Sequence, residues 1–367
     1  MILKHLKVAN YRNHEASELK PVNGVNCIVG QNGMGKTNIL DAIYFLCMTK
    51  SHISGQDKSL VRHTADFVRV EGKFDRENEP VKIVSKLQAG KKRFERDDVA
   101  YKKLADHIGL LPVVVYSPKE IAIVNEGSIE RRRFLDNGLS QIDPQYLHHL
   151  LVYRKVKKQR DALLNEFADK RYFDQKLITT FDEQLIPPAN YIALKRQEFI
   201  AAFLPIFSNL YREISNGQEA VSITYKSKML EIPFGELLKQ NIEKDKVLKR
   251  TSVGIHKDDL SFFINETPLK HYASQGQIKS FILALKIAQY EMLKAKIKTA
   301  PILLFDDIFD KLDLKRAKHL LALIRERTLG QIFITDTDSS RVELIVKEAG
   351  LDFKIFNIEN GQITNQN

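Results

Sequence analysis

Only two of the 367 residues are cysteine, Cys27 and Cys47, and both have apolar neighbours. Such residues behave as small buried hydrophobes, so a disulfide framework is excluded and a reducing compartment is expected. No zinc-ligand spacing is present. No run of about 18 apolar residues occurs, which excludes a membrane-spanning helix. The opening MILKHLKVANYRN lacks the apolar core and cleavage site of a secretion signal. Tandem repeats and low-complexity tracts are missing as well. The expectation is a soluble, cytoplasmic protein without a membrane partner. What the chain does carry in excess is positive charge: 57 Lys and Arg against 46 Asp and Glu, a net charge of +11. That balance favours polyanionic partners, although it also aids solubility. A hydrophobic content of 43% is that of a globular protein, long enough for one large domain or two modest ones.

Hydrophobic patterning divides the chain into three parts. The first hundred residues read as short alternating strands (ILKHLKV, VNCIVG, DFVRVEGKF, VKIVSKLQ) with turns at NEP and QAGKK, interrupted by one helix from Lys36. LPVVVYSP then predicts a buried strand stopped by Pro118. From about 128 to 216 the pattern is helical. Ile192, Phe199, Phe203, Phe207, Leu210 and Ile214 fall on one apolar stripe, with Pro205 inside it predicting a kink or a break into two helices. These helices are too short for a long coiled coil. Beyond AVSITYK and DLSFFINETPL, apolar strands alternate with helices, the pattern of a parallel sheet covered on both faces. The reading is an α/β ATPase lobe built from residues 1–118 and 250–367, with a mainly helical second lobe, 119–249, inserted between them.

Three motifs carry chemistry. The stretch GQNGMGKT comprises Gly30, Gln31, Asn32, Gly33, Met34, Gly35, Lys36 and Thr37, and it lies between a strand pattern and a helix pattern. Its glycines let the backbone curl with N–H groups inward, where a β-carbon would collide with a bound phosphate. Lys36 brings charge to the β/γ-phosphates, the Thr37 hydroxyl suits Mg²⁺, and the helix start faces the same anion. ATP with Mg²⁺ is therefore the expected cofactor. PILLFDD supplies an acid at the end of a buried strand, with Asp306 assigned to the metal and Asp307 to polarising the attacking water. Ser274, Gln275, Gly276 and Gln277 precede an amphipathic helix and form a second anion site at a helix N-terminus. An ordinary capped helix would read the same.

Placed before the paired aspartates, SQGQ resembles the signature segment of ATP-binding-cassette ATPases, and FDKLD, with Asp310 and Asp313, resembles their D-loop. The blocks LKHLKVANYRNH, VVVYSPKEIAIVNEGSIERRRFLDNGL, GIHKDDL, YASQGQIKSFILALKIAQ and ILLFDDIFDKLD run in the order seen in the RecF family, relatives of SMC and Rad50 heads. The resemblance covers nearly the whole chain. It implies that Ser274 touches the γ-phosphate bound to the other protomer, hence an ATP-dependent homodimer with DNA-stimulated hydrolysis, and the departure at Asp336-Thr337 makes slow hydrolysis the expectation. It also implies recombinational repair at replication gaps, recombinase loading with RecR- and RecO-like mediators, and a role in SOS induction. Departures occur at Asp41, where Glu is usual, at Gly254-Ile255-His256, and at Asp336-Thr337 in place of a switch histidine. No lid glutamine follows VVVYSP.

Basic residues cluster at Lys91, Lys92 and Arg93, at Arg131, and at Lys155, Lys157, Lys158 and Arg160. Together they suit a phosphate-tracking surface for single-stranded or duplex DNA and gap junctions, with solvated charged faces as the alternative for each. Arg132 and Arg133 are read as DNA contacts or as braces of the fold. Competing functions are a structural SMC-like chromosome ATPase, which needs a longer coiled coil, and an ATP-dependent nuclease, which needs a further metal domain. A transporter ATPase lacks the block around RRRFLD.

Overall fold

The computed structural model describes residues 1–366 except 216, 218, 310–321, 323, 324 and 328. Two compact units form, one from Met1–Glu120 with Leu285–Asn367, the other from Ile121–Ala284. The second unit thus keeps 35 residues (250–284) that the sequence reading assigned to the ATPase lobe. The cause is strand pairing: Asp259–Ile264 lies antiparallel to Val221–Lys226, which holds this stretch with the helices.

In the first unit a helix is enclosed between two sheets. One sheet is antiparallel and ordered 14–19, 2–11, 67–76, 79–88, 91–96, 99–100. The other is ordered 362–366, 353–359, 25–29, 332–336, 302–305, 113–116, parallel except at its first strand. Burial on both faces explains the unbroken apolar runs ILLF and VVVY, and in the buried VNCIV the one polar side chain, Asn26, is satisfied by the backbone of Val22, Gly24 and Ile332. Helix Lys36–Met48 shares one core with both sheets, including Leu6, Val70 and Ile83 on one side and Ile28, Leu304 and Phe333 on the other. It is accordingly apolar nearly all round. Cys27 and Cys47 are free and buried, and burial pushes the Cys27 thiol up to about 12. The Gln331 amide ties the sheets, accepting from Leu3 N and donating to the carbonyls of Leu3 and Val22.

His107 is fully buried in this core. Its Nε2–H donates to Leu46 O at 2.7 Å, so Nδ1 accepts from Tyr101 OH at 3.0 Å and the ring is neutral. Burial lowers its pKa to about 4, against a backbone hydrogen bond that raises it. The unfolded chain therefore binds more protons than the folded one between about pH 6.5 and 4, and stability falls as pH drops through that window. Denaturant melts from pH 7 to pH 4.5 should show the loss. His107→Gln should be less stable at pH 7 yet have a shallower pH slope; an unchanged slope would remove His107 from the account.

The second unit is built on the helices Ser128–Ile142, Pro144–Lys170 and Gln175–Ile214. The predicted break at Pro205 does not occur, and one helix of 40 residues runs through Pro187, Pro188 and Pro205. Pro205 and Ala201 are exposed, so water can satisfy the carbonyl that Pro205 leaves without a donor. The opposite stripe, Phe199, Phe203 and Phe207, stacks ring on ring and holds the helix to the core.

Two buried guanidiniums organise this unit. Arg196 binds Asp136, Asp258, Tyr146 OH and Ile255 O, joining RRRFLD to GIHKDD. Arg160 binds Asp182, Asp245 and Thr251. Removing one partner strands a charge in the interior, at a cost of about 3–5 kcal/mol. Asp245→Ala should thus lower the denaturation midpoint steeply, whereas the exposed Asp169→Ala should hardly shift it. Equal midpoints would show that Arg160 finds compensation elsewhere.

Candidate nucleotide-binding site

Strand Val25–Val29 delivers the chain to Gly30, and the helix begins six residues later at Lys36. Gly30, Gly33 and Gly35 have φ of 156°, 82° and 109°. The protein's own atoms also demand glycine at two of them. A β-carbon on Gly30 would lie 2.4 Å from Ile358 O, and one on Gly35 2.6 Å from the Asn13 amide and the His14 ring. At Gly33 nothing of the protein lies within 4 Å, leaving that side of the loop open to a ligand. No side chain caps the helix start, so its first N–H groups are available to an anion.

Lys36 is buried, with Nζ donating to Gly30 O at 2.7 Å and Gln31 O at 3.0 Å. The ammonium thus closes the cradle on itself. Thr37 Oγ1 donates to Asp306 Oδ1 at 2.8 Å, joining the loop to the end of strand Ile302–Phe305. Thr335 Oγ1 donates to the same carboxylate oxygen at 2.8 Å and accepts from Asp307 N at 2.8 Å. A hydroxyl and a carboxylate side by side form the hard-oxygen donor set that suits Mg²⁺. Asp307 differs from its neighbour: it is partly exposed, with φ of 47°.

Asn13 and His14, where the first strand turns into the second, brace the loop. Asn13 Nδ2 donates to Met34 O at 3.0 Å and its Oδ1 accepts from Asn38 at 2.7 Å. His14 Nε2–H donates to Gly35 O at 3.0 Å. Asp41, where the resembling family usually has Glu, is a buried hub that accepts from Tyr11 OH, Arg12, Ser51 Oγ and the backbone of His52 and Ile53. Asp336 faces Arg341, bound through both carboxylate oxygens, so it is committed to the helix Ser339–Glu348. After strand Val113–Tyr116, Glu120 pairs with Lys286 at 2.6 Å and lies 3.6 Å from His52. His52 also meets Ser117 Oγ at 3.3 Å. Sequence reasoning missed Asn13, His14, Thr335 and Glu120. Only their adjacency to a recognised motif or strand end could have flagged them.

In the second unit Ser274 and Gln277 make a reciprocal cap. Ser274 N donates to Gln277 Oε1 at 2.7 Å and Gln277 N to Ser274 Oγ at 3.2 Å. Gln277 Nε2 donates to Glu219 at 2.7 Å. Ser274 and Gln275 are exposed, and Gly276 is partly so. Asp310 and Asp313 lie outside the described residues.

Of the basic residues singled out in the sequence, Lys91, Lys155 and Lys158 are exposed, and their ammonium groups have no hydrogen-bond or ion-pair partner among the described residues. Arg93 is exposed but paired with Glu95. Lys92 is tied to Thr49 O and Asp57, and Lys157 to Asp161. Two expectations are corrected. Arg160 is wholly buried, and Arg131 is bidentate to Asp259, so both hold the fold instead of facing a polyanion. Arg132 donates to Asp258 O, the bracing alternative.

A parallel sheet bearing a glycine loop, with acids at the end of a nearby strand and an antiparallel sheet across the loop's helix, defines an ATP-binding-cassette-type ATPase of the SMC-head class. An SMC head bound to the C-terminal winged-helix domain of ScpA aligns with TM-score 0.61 at 15% identity, covering 100% of this chain and 98% of that one. Residues 2–361 match the RecF/RecN/SMC N-terminal domain. The chain belongs to the RecF family. It is 43% identical over 359 residues to the DNA replication and repair protein RecF of Flavobacterium johnsoniae, covering 98% of this chain and 100% of that one. Against that of Bacteroides thetaiotaomicron the identity is 40%, covering 99% and 98%. The recombination mediator protein RecF with ATP, of the RecFOR pathway, superposes with TM-score 0.90 at 29% identity, covering 99% and 96%. No described helix is long and apolar enough to cross a membrane.

Proposed function

We propose that the chain is an ATP-dependent DNA-binding protein of recombinational repair and replication-gap processing, which dimerises around ATP and hydrolyses it slowly. The observation that carries the reading is the hydrogen bond of Thr37 to Asp306 beside a cradle filled by Lys36 Nζ. Nucleotide phosphates replace the two carbonyls as partners of Lys36 and take up the N–H groups of the helix start. Thr37 and Asp306 would hold Mg²⁺, which when bound neutralises phosphate charge. Asp307, next along the chain at the strand end, orients a water and takes its proton.

Ser274 stands at an exposed helix N-terminus, where it can reach the γ-phosphate held by a second copy. ATP then joins two protomers, and hydrolysis releases them. RecR- and RecO-like mediators are the expected partners, and recombinase loading and SOS induction the expected outcome. A chromosome-organising role of the SMC kind is disfavoured: at 1.5 Å per residue, helix Pro144–Lys170 spans about 40 Å and helix Gln175–Ile214 about 60 Å, both well short of a long coiled-coil arm. The test is a binding series on single-stranded, duplex and gapped DNA with and without ATP. Binding that rises with ATP and falls with salt supports the proposal; binding indifferent to both overturns it.

A further inference from the structure

The stretch from Glu243 to Asp259 looks electrically mixed in sequence, with four acids and five Lys or Arg residues. The fold sorts them. Asp245 turns inward to Arg160 and Ser252 N, Asp258 to Arg196 and Tyr225, and Asp259 to Arg131. Glu243 is taken by Lys246, and Lys249 pairs with Asp169. Lys244, Arg250 and Lys257 remain exposed, with no carboxylate at ion-pair distance among the described residues.

Lys244 lies on the short helix Ile242–Leu248, and Arg250 and Lys257 on the braced segment that follows it. Thr251 is fixed to Asp161 through N and Oγ1, both at 2.7 Å. His256 Nε2–H donates to Thr251 O at 3.0 Å, and Nδ1 accepts from Tyr153 OH at 2.7 Å, which stitches the loop closed beside Arg250 and Lys257. From the neighbouring helix, Arg132 reaches Asp258 O at 2.7 Å. Burial, and then the fields of Arg250, Lys157, Arg132 and Lys244, hold the Lys257 ammonium below the ordinary lysine range. Of these cations Lys157 has a carboxylate partner, Asp161.

A fold that commits its acids to other partners, two of them in the interior, and leaves like charges crowded outside is relieved when an external polyanion supplies the missing negative charge. We propose that Lys244, Arg250 and Lys257, flanked by Arg132, form a contact site for the phosphodiester backbone of DNA. The inference rests on the DNA-binding reading above and gives it an address that the basic runs in the sequence did not. Contacts made to phosphates position DNA without selecting sequence.

The test uses the full-length chain with ATP and labelled duplex, single-stranded and gapped oligonucleotides of several sequences over a range of salt. Arg250→Ala with Lys257→Ala should weaken binding about tenfold or more and lower the duplex salt slope by about 1.8, at about 0.9 for each phosphate no longer neutralised. The weakening should be similar for every sequence. Lys170→Ala with Lys347→Ala removes the same charge from sites already paired with Glu166 and Glu343, and should leave affinity and slope near wild type. Equal weakening in both double variants would reduce the effect to net charge and overturn the site. So would weaker binding of inorganic polyphosphate with DNA affinity intact. If wild type binds DNA and the first variant matches it, the site fails while the DNA-binding reading stands. If wild type binds no DNA in any nucleotide state, the reading falls and the site with it.

Discussion

Lys36→Ala abolishes ATP binding while the fold survives. The ammonium is buried and already directed into the loop, where Gly30 O and Gln31 O hold it at 2.7 and 3.0 Å. Hydrogen bonds to a charged group contribute about 1.5–3 kcal/mol each, and Lys36 can make more than one to a triphosphate. Affinity should therefore fall by about a hundredfold or more. Other parts of the loop are held without this side chain. Met34 O is gripped by Asn13 Nδ2 and Gly361 N, Gly35 O by His14, and Gly30 N by Asp336 O. Calorimetric titration with ATP should show no binding, and thermal melting of the nucleotide-free chain should show a midpoint near wild type. A variant that binds ATP as tightly as wild type would remove the cradle from the mechanism.

Asp307→Asn should bind ATP normally, lose hydrolysis by about a hundredfold to ten-thousandfold, and accumulate as a dimer. The two acids of this strand end are not equivalent. Asp306 is held by Thr37 and Thr335, so its removal would damage the proposed metal site along with any chemistry. Asp307 joins the same framework through its backbone N–H. Its φ of 47° lies in the left-handed region that asparagine tolerates well. The amide variant keeps the backbone and the size of the side chain, and loses the ability to take a proton. If ATP joins two subunits and hydrolysis parts them, blocking chemistry leaves the joined state. Sedimentation velocity with ATP should show a dimer that persists for the variant and dissipates for wild type. A variant that stays monomeric at saturating ATP would end the shared-nucleotide scheme.

Several parts of this architecture were legible in the sequence for clear reasons. A P-loop is a local motif: Gly30, Gly33, Gly35, Lys36 and Thr37 act within eight consecutive residues, so their spacing carries their geometry. The parallel strands were legible because burial on both faces leaves runs such as ILLF with no polar position. The helical stripe from Ile192 to Leu210 was legible for the same kind of reason, and Pro205 misled because its penalty falls on a solvent-facing turn. The C-terminal boundary of the inserted unit was misplaced because strand pairing between Val221–Lys226 and Asp259–Ile264 is non-local.

Charge was the least legible property. Arg160 and Lys158 belong to one basic run, yet one is wholly buried and the other exposed. Glu120 carried no motif, and only its ion pair with Lys286 and its proximity to His52 mark it.

The amino-acid order alone was enough to place a glycine loop with Lys36 and Thr37 at a helix start and a carboxylate, Asp306, at a strand end, because those groups lie on short local motifs. Which cations stay outside, which acids are consumed within, and how Asn13 and His14 brace the loop were settled only on folding. A charge's worth depends on its partner and its burial, and both come from residues far away along the chain.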